Sequence, residues 1–183
     1  MAAHYLVLYP LVPDWSVESL TGLQQALEKL GLLGAMRQPG EFLTGAEYLS
    51  LVTYLGCSPQ IALGEAEAAT RIYLHGSDPA PRLNAGANIK SPRCRHCRQT
   101  FSLAEFELQL RNCPHCNKPL KLDWRRSAAL ARVFIEISNV YDSEAVPSEA
   151  LLEVLYEVSG VNWDYCYIRR EDEGKFMNLN SPS

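Results

Sequence analysis

Cys94, Cys97, Cys113 and Cys116 form two Cys-x-x-Cys pairs with fifteen residues between them, in the stretch CRHCRQTFSLAEFELQLRNCPHC. Four thiolates suit one zinc ion, which prefers tetrahedral sulfur ligands at roughly 2.3 Å. A two-residue gap lets both sulfurs of a pair meet one metal from a single turn, and the fifteen-residue loop is long enough to bring the chain back. Four cysteines fill every position of a tetrahedral ion, so the expected role is one structural Zn²⁺ held by Cys94, Cys97, Cys113 and Cys116. No His in the chain is followed two residues later by Glu, so the H-x-E of the nucleobase deaminases is missing.

The two quoted turns, PRCRHCRQTF and NCPHCNKPL, resemble the zinc-ribbon family over residues 90–126, and no family is recognised for the rest of the chain. Ribbons commonly carry glycine after the second cysteine of each turn, where φ is positive. Arg98 and Asn117 stand there instead, so the resemblance implies a left-handed backbone at both. CPHC also looks like the active-site motif of thioredoxin-fold thiol oxidants, in which the motif opens a helix. Here Asn-Lys-Pro-Leu follows, and Pro119 opposes that helix. His96 and His115, inside the two pairs, are expected to be surface residues near the metal.

Charge divides the chain. Residues 90–126 carry nine basic and three acidic residues, net +6, which leaves −10 on the remainder of a chain of net −4. Arg93, Arg95, Arg98, Arg125 and Arg126 are the candidate contacts to phosphate or to a protein partner. They also sit where four thiolates and one Zn²⁺ would carry a formal −2. Phe101, Phe106 and Trp124 could stack on bases. Phe101, Leu103, Phe106, Leu108 and Leu110 must also supply whatever core the segment has.

The remaining elements form the frame for this segment. HYLVLYPLV reads as a strand. Ser16 and Glu18 suggest the start of a helix continued by Leu20, Leu23, Leu27 and Leu30 and closed at Gly31 or Gly34. Thr44 and Glu47 suggest a capping box for a second helix through Tyr48, Leu51, Val52 and Leu55, ending at Gly56. TRIYLHG is a strand, and residues 77–92, rich in Pro, Gly and Asn, read as a linker. In ARVFIEISNVY, Val133, Ile135 and Ile137 share one face, while Phe134 interrupts the polar alternate face and predicts a strand covered on both sides. Pro147 opens a third helix ending near Gly160, and WDYCYIRR is the last strand. No internal repeat is apparent.

The expected fold is α+β: a small sheet packed with about three helices, an order that admits a ferredoxin-like arrangement, with an inserted four-cysteine zinc ribbon. Residues 1–89 and 127–170 would form a discontinuous body, residues 90–126 the ribbon, and residues 171–183 a flexible tail. Paired cysteines favour a reducing compartment, and the first residues lack a signal-peptide pattern, so the expected location is cytoplasmic. The chain has no glycine-rich phosphate loop, G-x-S-x-G or H-E-x-x-H. His75 and Asp78, at a strand end, are the place to look for an enzyme. Cys57 and Cys166 read as buried structural thiols. The leading expectation is a non-catalytic, metal-binding protein that binds a protein partner, one of basic character given the acidic body, as an adaptor, inhibitor or immunity-type protein. Nucleic-acid binding through the basic ribbon is the alternative, and no membrane role is expected.

Overall fold

A computed structural model describes residues 2–56, 61–103 and 111–171. In chain order the elements are β1 (Ala3–Pro10), α1 (Thr21–Leu30), β2 (Leu33–Gln38), β3 (Glu41–Thr44), α2 (Tyr48–Leu51), β4 (Val52–Tyr54), β5 (Arg71–His75), β6 (Arg82–Ala85), β7 (Arg93–Cys94), β8 (Leu122–Asp123), β9 (Ala128–Ala131), β10 (Phe134–Ser138), β11 (Ala145–Pro147), α3 (Glu149–Ser159) and β12 (Trp163–Arg170). Six strands form one antiparallel sheet in the order β12-β1-β10-β5-β3-β2. β4 pairs with β11, β6 with β9 and β7 with β8. No helix among the described residues is long and apolar enough to cross a membrane.

Strand alternation builds two cores on opposite faces of this sheet. One face sends Leu6 and Leu8, Ile72 and Leu74, and Ile135 and Ile137 against Leu23 and Leu27 of α1 and Leu151 and Leu155 of α3. The other face buries Val7, Phe134, Cys166 and Ile168 under Ala129 and Ala131 of the β6–β9 pair. The small side chains on β9 let the pair lie close to the sheet. The double covering anticipated from Phe134 is therefore present, and it places Glu136 in the interior at 2% exposure. Its carboxylate receives Arg170 Nη2 at 2.6 Å and Asn84 Nδ2 at 2.8 Å, and His75 Nε2 lies 3.2 Å away. Burial alone would raise the Glu136 pKa, but His75 and Arg170 outweigh it and hold the carboxyl well below the usual range. This network ties β6 to three strands of the sheet.

Several sequence expectations need correction. α1 starts at Thr21 rather than near Ser16, and its N-cap residue Leu20 provides no side-chain cap. Gly31 closes it in the left-handed conformation at φ 85°. The second helix lasts only four residues, because Val52–Tyr54 leaves it to pair with Ala145–Pro147. Thr44 ends a strand and caps nothing. The β2–β3 hairpin was not anticipated, although Pro39-Gly40, with Gly40 at φ 79°, is a type II turn signal between its strands. Ser148, directly after Pro147, caps α3 by accepting from the Leu151 amide at 3.2 Å.

The largest correction concerns residues 77–92, which are no linker. Leu83, Asn84 and Ala85 are buried in β6, and the segment beyond them docks on the outer edge of β12. The Ala87 amide donates to the Arg169 carbonyl at 2.7 Å, and Asn88 exchanges hydrogen bonds with the Tyr167 carbonyl and the Arg169 amide at 2.8 and 2.9 Å. A Cβ at Gly86 would lie 2.2 Å from the Arg169 carbonyl oxygen, so only glycine allows this approach. Cys57 and residues 172–183 lie outside the described residues.

Candidate metal centre

The four cysteines come together at the far end of this arm. Each pair sits in a tight turn with the same backbone bonding. In the first turn the Cys94 amide donates to Gln99 O at 2.9 Å, and the Arg98 amide to Cys94 O at 2.9 Å. In the second, Cys113 donates to Lys118 O at 2.9 Å and Asn117 to Cys113 O at 2.8 Å. The match extends outward: Phe101 donates to Pro92 O at 2.8 Å and Leu120 to Arg111 O at 2.9 Å, and the bridge Arg93–Thr100 has its counterpart in Asn112–Pro119. Residues 92–101 and 111–120 are thus a structural repeat that the sequence reading did not find. Only Cys, His and Cys are shared within it, as Cys94, His96, Cys97 and Cys113, His115, Cys116. Arg98 and Asn117 have φ of 65° and 56°, the left-handed backbone that the ribbon resemblance implied.

The repeat aims four sulfurs at one point. All four lie within 4.8 Å of one another, with Cys94–Cys116 at 3.9 Å and Cys97–Cys113 at 3.7 Å. Metal–sulfur bonds of about 2.3 Å require a tetrahedral edge of about 3.8 Å, so the sulfurs are already spaced to hold a metal ion. Cys94 and Cys113 are buried and Cys97 and Cys116 partly so. The backbone amides of Cys97 and His96 face the Cys94 sulfur and lower its thiol pKa to about 7, whereas at Cys97 the Gln99 amide is outweighed by burial and the neighbouring sulfurs, which push that thiol up to about 11. His96 and His115 are exposed and lie outside the sulfur cluster, as expected. Phe101 is buried beside the cysteines, while Leu103 is 40% exposed; Phe106, Leu108 and Leu110 lie outside the described residues.

Asp123, which the sequence reading did not single out, organises the surrounding charge. One of its oxygens meets Arg93 Nε at 2.9 Å and Arg98 Nη1 at 3.5 Å, and the other accepts the Arg125 amide at 2.8 Å. The Asp123 pKa is lowered: burial opposes this, but the Arg125 amide and Arg93 prevail. Arg126 pairs with Asp164 at 2.9 Å and lies 3.7 Å over the Tyr165 ring. Arg95 Nε donates to the Leu122 carbonyl and Arg125 Nη2 to the Ser91 carbonyl. Three of the five arginines thus pair with two carboxylates, Arg93 and Arg98 sharing Asp123, while the Arg95 and Arg125 side chains donate to backbone carbonyls and keep their charge. Trp124 is buried with Leu83, Ala85 and Ala128 at the neck of the segment, so neither it nor Phe101 is a free stacking surface.

His75, the place to look for an enzyme, lies against Glu136, while Asp78 pairs with Arg82. Cys166 is fully buried, and burial raises its thiol pKa, the mark of an inert side chain. Comparisons with protein-family models, curated proteins and solved structures find no match for this chain.

Proposed function

We propose that the chain is a non-catalytic, cytoplasmic structural-zinc protein that acts by binding another protein. In this reading the body is ferredoxin-like and residues 90–126 are an inserted four-cysteine zinc ribbon that forms part of the contact. The body reading is supported by strand order: β12, β1, β10 and β5 stand as fourth, first, third and second of a β-α-β-β-α-β series. An all-thiolate set at tetrahedral spacing supports zinc over hard, oxygen-seeking cations such as Mg²⁺ or Ca²⁺, and metal analysis separates it from iron, which takes the same ligands.

The observation that carries the protein-binding reading is the combination of a firm mount and a rim whose arginines are partly paired. The segment stands on an arm locked to the sheet by the Glu136 network and the β12 edge, while Asp123 and Asp164 already pair Arg93, Arg98 and Arg126. A surface built for phosphate would leave such arginines unpaired and would offer aromatic faces. Metal analysis should return one equivalent of zinc per chain. Fluorescence anisotropy with mixed-sequence DNA and RNA across a salt series tests the alternative. No binding at physiological salt is the expected result. Micromolar binding with a steep salt slope, abolished by Arg95→Glu with Arg98→Glu, would replace this proposal with nucleic-acid binding.

A further inference from the structure

On the face of the molecule away from the cysteine arm, α3 carries an acid-rimmed apolar groove of about 440 Å³, lined by Glu149, Leu152, Glu153, Tyr156, Glu157 and Asn162. Glu149, Glu153 and Glu157 recur every fourth residue, about 6 Å apart along the helix. Leu152 and Tyr156 form a parallel row three residues after the first two acids, and Tyr156 is 50% exposed. Exposed Leu11, whose amide donates to the Asn162 carbonyl at 2.8 Å, adds apolar surface beside the groove.

Glu149, in the first turn, suits the helix dipole, but the rest of this row works against the helix that bears it. Like charges four residues apart repel, and an acid in the last turn faces the negative end of the helix dipole. The last turn of α3 holds no basic residue, and none of the three glutamates forms an ion pair among the described residues. We propose that this groove is a docking site for a cationic amphipathic segment of a protein partner, which seats apolar side chains on Leu152 and Tyr156 and pairs lysines or arginines with Glu149, Glu153 and Glu157. Charge complementarity selects this occupant. Two copies of the chain meeting groove to groove would oppose the same acidic rows, and a copy offering its basic segment would make an open-ended head-to-tail contact. The inference deepens the protein-binding reading but uses a different face of the molecule, so the two can fail separately.

The test titrates the isotopically labelled full chain at 150 mM salt with an 18-residue helical peptide bearing leucines along one face and lysines and arginines elsewhere. A counterpart carries glutamate in place of every cation. The cationic peptide should shift the amides of residues 149–162 and of Leu11, and the anionic one should not. Glu153→Lys with Glu157→Lys should weaken binding at least tenfold, while the variant melts at the same temperature or higher, because the row is relieved. That opposition of binding and stability is what a merely structural row would not produce. Arg95→Glu with Arg98→Glu should leave the peptide affinity within threefold, whatever happens to the ribbon's own contacts. The proposal is overturned if the cationic peptide causes no shifts, if shifts fall on another face, or if the lysine variant binds equally well. It is also overturned if sedimentation shows the chain alone associating in a way that the lysine variant abolishes, since a second copy would then occupy the groove.

Discussion

The two parts of this molecule are held together by different physics. Between the sheet and its helices, 21 buried residues make one apolar core, whereas around the sulfurs the described core has three, two of which are cysteines. A core of the first kind persists without any ligand, because burying each large side chain is worth about 1.5–3 kcal/mol. On the reading proposed above, the metal supplies the ordering energy that the few described apolar residues around the sulfurs do not. A single chain can therefore carry a permanent scaffold and a conditional tip.

The largest effect should follow from removing the metal. If the four cysteines hold a metal as proposed, chelation, Cys94→Ser or Cys113→Ser should abolish metal binding and remove the hydrogen-exchange protection of the Arg98 and Asn117 amides. The amides of β1, β5 and β10 should stay protected. If the whole chain unfolded together, the division between scaffold and tip would be wrong. The next effect lies at the seam between them. Glu136→Ala leaves Arg170 buried without its carboxylate, and should cost about 3–5 kcal/mol in a urea titration. Leu155→Ala, inside the scaffold alone, should cost about 2–5 kcal/mol and leave the metal content of the chain unchanged.

Glu136 also sets a pH dependence whose sign is fixed. Its folded pKa lies below the ordinary value of 4.5, so its contribution to stability is whole above that pH and is lost as the pH falls below it. The urea midpoint of the native chain should therefore fall more steeply below pH 4.5 than that of Glu136→Gln.

What the sequence made legible follows the same division. β1, β5, β10, β12 and α3 were readable because their apolar spacing has one solution, as Val133, Ile135 and Ile137 show. The four cysteines were readable because sulfur at that spacing has few other uses. The second helix misled because its cap signal and periodicity are local, while β-branched Val52 and Thr53 found a distant partner in β11. Residues 77–92 misled because turn-forming composition conceals an ordered docking made by Gly86 and Asn88. Phe134 foretold a second covering layer, but nothing local shows that Glu136, two residues along the same face, is buried by it with Arg170 as partner. The repeat of residues 92–101 in 111–120 escaped notice because it lies in backbone hydrogen bonds, which differing side chains can share.

That repeat permits the finest comparison, between two turns of the same design. Arg98 and Asn117 hold the same left-handed position at φ 65° and 56°. For an arginine this conformation costs roughly 1–2 kcal/mol, whereas asparagine adopts it routinely. Glycine would relieve the strain but would lose more freedom on folding, roughly 0.5–1 kcal/mol. The exposed Arg98–Asp123 contact at 3.5 Å adds little against this. Arg98→Gly should therefore gain about 0.5–1 kcal/mol, read as a two- to fivefold slower loss of metal to a competing chelator. Asn117→Gly should change the same measurement by less than twofold. Equal effects at the two positions would mean that backbone strain does not distinguish the turns, and that the Arg98 side chain contributes more to the first turn than its contact with Asp123 accounts for.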